Sequence, residues 1–151
     1  MNVAVLVIHE GGWLATLVSL FTWSFWNHVA LKVGDKVYYM DSGKSFGKNN
    51  DSGLRECDYS YIAEKYPHLS FSIAGADEDK LMAFLHAHVD VKYDAKRTLG
   101  WVVRKYKTLD DVDRFNCIEL VYYAFKSLGI DLWEGENISP GKLAKILRKR
   151  G

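Results

Sequence analysis

The chain alternates between stretches of strand-like and helix-like apolar spacing. Val3 to Ile8 is an unbroken apolar run, short enough to predict a buried strand, and Gly11-Gly12 lies just beyond it. Trp13, Leu14, Leu17, Leu20, Phe21 and Phe25 then recur at steps of three and four, which predicts a buried helix closing near residues 23–26. Two apolar-rich runs follow, 28–33 and 36–41, with Gly34-Asp35 between them. A two-residue spacer of this kind predicts a β-hairpin. Residues 42–52 are rich in Ser, Gly, Lys and Asn and predict a surface loop. Residues 70–74 alternate and predict another strand. Asp77 is placed to cap a helix over 78–89, with Leu81, Phe84, Leu85 and His88 on one face. The clearest helix spans 116–128, where Leu120, Val121, Ala124, Phe125 and Leu128 form a stripe that Gly129 terminates. Ser139-Pro140 opens a last helix, with Ser as cap and Pro in the first turn. Residues 93–106 select neither period.

No repeat or linker divides the pattern, so residues 1–151 are expected to form a single domain, long enough for a substantial core. Mixed helices and hairpins predict an α+β fold. The composition, 48% hydrophobic and 14% aromatic, is that of a folded globule. A net charge of +1 implies no nucleic-acid partner. The one local bias is Lys142, Lys145, Arg148, Lys149 and Arg150, which reads as cations at the negative pole of a solvated helix. Residues 11–31 carry no Asp, Glu, Lys or Arg, over about the ~20 residues that a bilayer span needs. Thr16, Ser19, Thr22, Ser24, Asn27 and His28 interrupt the stretch, which therefore reads as a helix running into a strand, with no stable membrane insertion. No basic segment precedes the apolar start, so a cleavable signal is not expected and a cytoplasmic location is. Cys57 and Cys117 are too few for a disulfide framework and suit free thiols.

The candidate chemistry centres on Cys117. It follows Asn116, a good helix cap, and Asn116-x-x-Glu119 resembles a capping box. A sulfur in the first helical turn meets unpaired backbone N–H groups and the positive pole of the helix, which favour the reactive thiolate and can also hold an oxyanion. Taken alone, Cys117 also fits a small buried hydrophobe. A thiol nucleophile needs a base. Of the five histidines (His9, His28, His68, His86 and His88), His28 opens a predicted strand after polar Asn27, where an imidazole can face a cleft. Asp41 ends the partner strand of the same hairpin and is the candidate to orient the ring.

In order and spacing, three stretches resemble the circularly permuted branch of the NlpC-type papain-like thiol hydrolases. That branch includes the lecithin:retinol acyltransferase-like enzymes. The first stretch is Thr22-Trp23-Ser24-Phe25-Trp26-Asn27-His28-Val29, similar to the family's Thr-x-Ser and His-Val opening of a strand. The second is Asn116-Cys117-Ile118-Glu119-Leu120-Val121, similar to its Cys-Ser-Glu-Leu-Val helix start. The third is Gly129-Ile130-Asp131-Leu132 followed by Ser139-Pro140-Gly141-Lys142-Leu143. Tyr93-Asp94 matches a pair the family often has before the cysteine. The resemblance covers almost the whole chain. It implies a permuted papain-like fold, with a small antiparallel sheet packed against the cysteine helix, and an acyl-cysteine intermediate. It implies Cys117, His28 and Asp41 as catalytic residues, with Tyr93, Asn27 and Asn116 near the substrate and no cofactor or metal.

Two positions depart from the family. Ile118 stands where Ser is usual. The family's third polar residue falls at Met40, beside Asp41, and because a one-residue shift along a strand reverses the face, Tyr39 and Asp51 are the alternatives. The expected reaction is cleavage of an amide in a peptide or peptidoglycan stem. Trp13, Trp23 and Trp26 leave open a lipid ester substrate, and a non-catalytic binding module on the same fold is the other alternative. A metal site drawn from His86, His88, His68 and Cys57 is disfavoured, because helix positions two apart point to different sides.

Overall fold

The computed structural model describes residues 3–11, 20, 25–41, 53–88, 92–93, 114–134 and 138–150. Strand β1 (Val3–Ile8) is buried along its whole length, which accounts for its unbroken apolar run. It pairs antiparallel with β2 (His28–Val33) from Val3↔Val33 to Ile8↔His28. β2 turns through Gly34-Asp35 into β3 (Lys36–Asp41), and Gly34 adopts φ 60°, as such a tight turn demands. The hairpin bounds match the apolar pattern.

Strand β4 (Gly53–Asp58) pairs antiparallel with β3 over its full length, and β5 (His68–Ser72) pairs antiparallel with β1. The result is a five-stranded antiparallel sheet in the order β4-β3-β2-β1-β5. β4 carries Arg55, Glu56 and Asp58, so its sequence gives no alternation, and pairing with β3 makes it a strand. Helix α1 (Tyr59–Lys65) follows it directly, tied to the hairpin by Tyr59 N–H donating to Asp35 O at 2.7 Å. It is too short to show a helical period. The strand expected over 70–74 lies two residues earlier, because the β1 register starts it at Ile8↔His68.

Helix α2 (Glu78–Ala87) is capped by Asp77, whose side chain accepts from Lys80 N–H at 3.1 Å. It stops short of the expected residue 89, at a turn where His88 Nδ1 bonds the Phe84 carbonyl at 2.7 Å. β6 (Lys92–Tyr93) lies beside β3 and β4 and forms a two-residue parallel pair with β7 (Arg114–Phe115). β7 leads into α3 (Cys117–Ser127), and α4 (Pro140–Arg150) closes the chain. The architecture is α+β, with four helices among the described residues. Most of the helix expected over 13–26 and all of the loop over 42–52 lie outside the described residues. Among the described residues no helix is long and apolar enough to cross a membrane.

The sheet is covered on both faces. Val5, Val29, Leu31 and Met40 pack with Leu120 and Phe125 of α3, Leu81 of α2 and Leu143 of α4. On the other face Leu6, Ile8, Ala30, Val37 and Tyr39 pack with Cys57 of β4 and Ile62 of α1. The cysteine helix therefore lies on one face of the small sheet, against β2 and β3.

Candidate active site

The start of α3 is fixed by a complete capping box. Asn116 Oδ1 accepts from Glu119 N–H at 2.8 Å, and Asn116 N–H donates to Glu119 Oε1 at 3.2 Å. Both residues are buried. Cys117 is thereby held in the first turn, as its sequence position predicts.

The hairpin determines what the sulfur meets. In a two-residue hairpin the flanking pair, Val33↔Lys36, exchanges both backbone bonds. Every second N–H of β2 (Val33, Leu31, Val29) therefore faces β3. The β2–β3 ladder runs from Val33↔Lys36 to Leu31↔Tyr38, and at the next such position the Val29 N–H donates to Cys117 Sγ. The sulfur thus stands at the seam between β2 and β3, one residue from His28. The N–H groups of Ile118 and of Cys117 itself also point at it.

His28 lies on the opposite face of the sheet. It shares the side of Ala30 and Tyr39, with its ring edge-on to Tyr39 at 6.2 Å between centroids. α3 covers the side of Val29 and Leu31. Thiol and imidazole approach the seam from its two faces. The hairpin pairs Leu31 with Tyr38, so His28 and Asp41 end its two strands on the same face; Asp41 is fully buried and its charge raises the His28 pKa.

Glu10 joins this group, and the sequence reading did not single it out. It lies just beyond β1, is only 6% exposed, and has its backbone gripped by the Asn27 side chain. Asn27 Oδ1 accepts from Glu10 N–H, and Asn27 Nδ2 donates to Glu10 O, both at 2.9 Å. Asn27 N–H in turn donates to Ile8 O at 3.1 Å. Asn27 therefore extends the β1–β2 connection and sets where Glu10 stands.

The electrostatics run against one expectation. The helix start and its N–H groups favour a thiolate, yet burial dominates and pushes the Cys117 thiol up to about 12. The Val29, Ile118 and Cys117 N–H groups oppose that rise, while the charge of Glu10 adds to it. His28 moves the other way: burial lowers its pKa below 6.5, against the carboxylates of Glu10 first and Asp41 second. The pair therefore rests as neutral thiol and neutral imidazole, and Cys117 is 1% exposed.

Of the other residues expected here, Asn27 has both ends of its amide on the Glu10 backbone and Asn116 uses its oxygen as the cap. Tyr93 contributes its backbone to β6, paired with Phe115 at the entry to α3. Tyr39 lies beside His28, and burial raises its hydroxyl pKa. Asp51 and Asp94 lie outside the described residues. His68 bonds Tyr59 Oη and the Tyr66 carbonyl, each at 3.0 Å. Among the described residues no group of three or more His, Cys, Asp and Glu side chains is arranged to hold a metal ion. The chain matches no protein-family model and no curated protein.

Proposed function

We propose that the protein is a cysteine hydrolase of the permuted papain-like kind, cleaving an amide through an acyl-cysteine intermediate. The observation that carries this reading is the seam itself. A helix-start sulfur accepts the Val29 N–H in the gap between β2 and β3, one residue from a histidine flanked by two buried carboxylates. Cys117 Sγ attacks the substrate carbonyl as His28 takes the thiol proton. Because both groups rest neutral, proton transfer accompanies the attack instead of preceding it. The N–H groups at the start of α3 hold the oxyanion. His28 then protonates the leaving amine, and water, activated by the same imidazole, releases the acid from the thioester. Asp41 and Glu10 stabilise the imidazolium that forms along the way.

The substrate class proposed is a peptide or peptidoglycan stem amide. The same residues serve a lipid ester equally well in principle. A second reading, a non-catalytic binding module, is favoured by one observation, the burial of a high-pKa thiol. The two readings separate by turnover. Peptidoglycan fragments, peptide amides and phospholipids are assayed with the wild-type chain, Cys117→Ala and His28→Ala. The hydrolase reading expects turnover of one class, abolished by either substitution. No turnover of any class supports the binding module.

A further inference from the structure

A second surface, at the sheet edge on the far side of β1 from β2, has the features of a peptide-docking groove. β5 is an edge strand of the sheet. Ile73 N–H donates to Val3 O and His9 N–H donates to Pro67 O, so the odd positions of β5 face β1. The backbone N–H and C=O groups of His68, Ser70 and Ser72 therefore point outward, and among the described residues no strand meets them. Ser70 and Ser72 are exposed. Beside them runs a groove of about 440 Å³, between β5 and α4. Its apolar lining includes Phe71, Ile73, Ile130 and Leu147, and Arg150 stands at its wall.

We propose that this groove docks an extended acidic peptide, which adds to the sheet as a further strand between β5 and α4. Three observations select that occupant. Outward backbone groups at every second residue of β5 match the hydrogen-bond spacing of an extended chain and of nothing helical. The apolar lining accepts alternate side chains of such a strand. The charge fits an acidic sequence: α4 ends in Arg148, Lys149 and Arg150, all exposed. Arg150 is itself fixed in place, with one Nη donating to the Asp131 carbonyl at 2.9 Å, and a guanidinium has further N–H donors for a carboxylate. A second copy of this chain is the poorer fit. Two-fold pairing of β5 with its own copy would bring two like-charged α4 ends towards one groove system.

Displayed random heptapeptides, selected on the full chain, provide the probe. Enriched sequences are synthesised and titrated by fluorescence anisotropy against wild type, Ser70→Pro and Arg150→Glu. Proline at an edge position removes an outward N–H without breaking the ladder to β1. Enrichment in Asp and Glu is expected, with affinity falling at least tenfold in each variant and in a peptide whose Glu residues are replaced by Lys. On the wild-type chain the bound peptide should slow amide exchange at Ser70 and Ser72, a readout that does not depend on either variant folding. The proposal is overturned if no acidic sequences are enriched, if binding is indifferent to both substitutions, or if exchange at Ser70 and Ser72 is unchanged. It is equally overturned if sedimentation finds a dimer that Ser70→Pro dissociates.

Discussion

His28 shows how one buried side chain ties pH to stability. Its folded pKa lies below the unfolded value of 6.5, because burial outweighs the two carboxylates. The unfolded chain therefore binds the proton first as pH falls. Stability is fully present above about 6.5 and drains away as pH falls from there towards the folded value. The urea midpoint of wild type should drop between pH 7 and pH 5 by more than that of His28→Gln; equal drops would remove His28 from the account. Glu10 and Asp41 both raise the imidazole pKa, with Glu10 the larger influence. Glu10→Gln should then lower the His28 pKa further than Asp41→Asn does, read from the imidazole resonances by NMR. If Asp41→Asn has the larger effect, Asp41 is the principal acid after all. His28 and Asp41 can be paired from the sequence because both lie on one hairpin with a two-residue turn. Glu10 forms no local pattern with either partner: its position depends on β1–β2 pairing and on Asn27, seventeen residues further along the chain, with His28 one residue beyond that.

At the scale of elements, legibility follows how local the determining force is. The Asn116–Glu119 capping box, the Asp77 cap and the Gly34-Asp35 turn are settled within a few residues, and each stands where its sequence implies. β4 and α1 were not readable, because the charges of β4 hide its alternation and its pairing partner lies on β3. At Cys117 local and tertiary influences oppose each other. A helix start is a local feature favouring thiolate, whereas burial of the sulfur in the core between α3 and the sheet is tertiary and stronger. The Asn27 clamp gives a test at this scale. Asn27→Ala removes two hydrogen bonds to a buried backbone segment, so it should cost about 2 kcal/mol in denaturant unfolding. Because the clamp also sets Glu10, the His28 pKa should fall in the same variant. A loss of stability with an unmoved His28 would leave Asn27 as a structural bond alone.

Across the whole molecule, the sheet is a septum between two packed layers, α1 on one side and α2, α3 and α4 on the other. The proposed chemistry requires communication through that septum, since the thiol comes from the α3 side and the imidazole from the α1 side. The β2–β3 pairs end at Leu31↔Tyr38, and the sulfur meets the Val29 N–H just past them. A buried, neutral thiol should be a poor target for small alkylating agents yet a good one for a substrate-like acyl donor that engages His28. The most direct test is therefore mass spectrometry of the peptide containing Cys117 after exposure of the folded chain to a slowly hydrolysed activated acyl amide. The account predicts an acyl adduct on Cys117 in wild type, and its loss in His28→Ala with the fold intact by circular dichroism. Turnover without any adduct on that peptide, or an adduct that forms equally fast in His28→Ala, would contradict it.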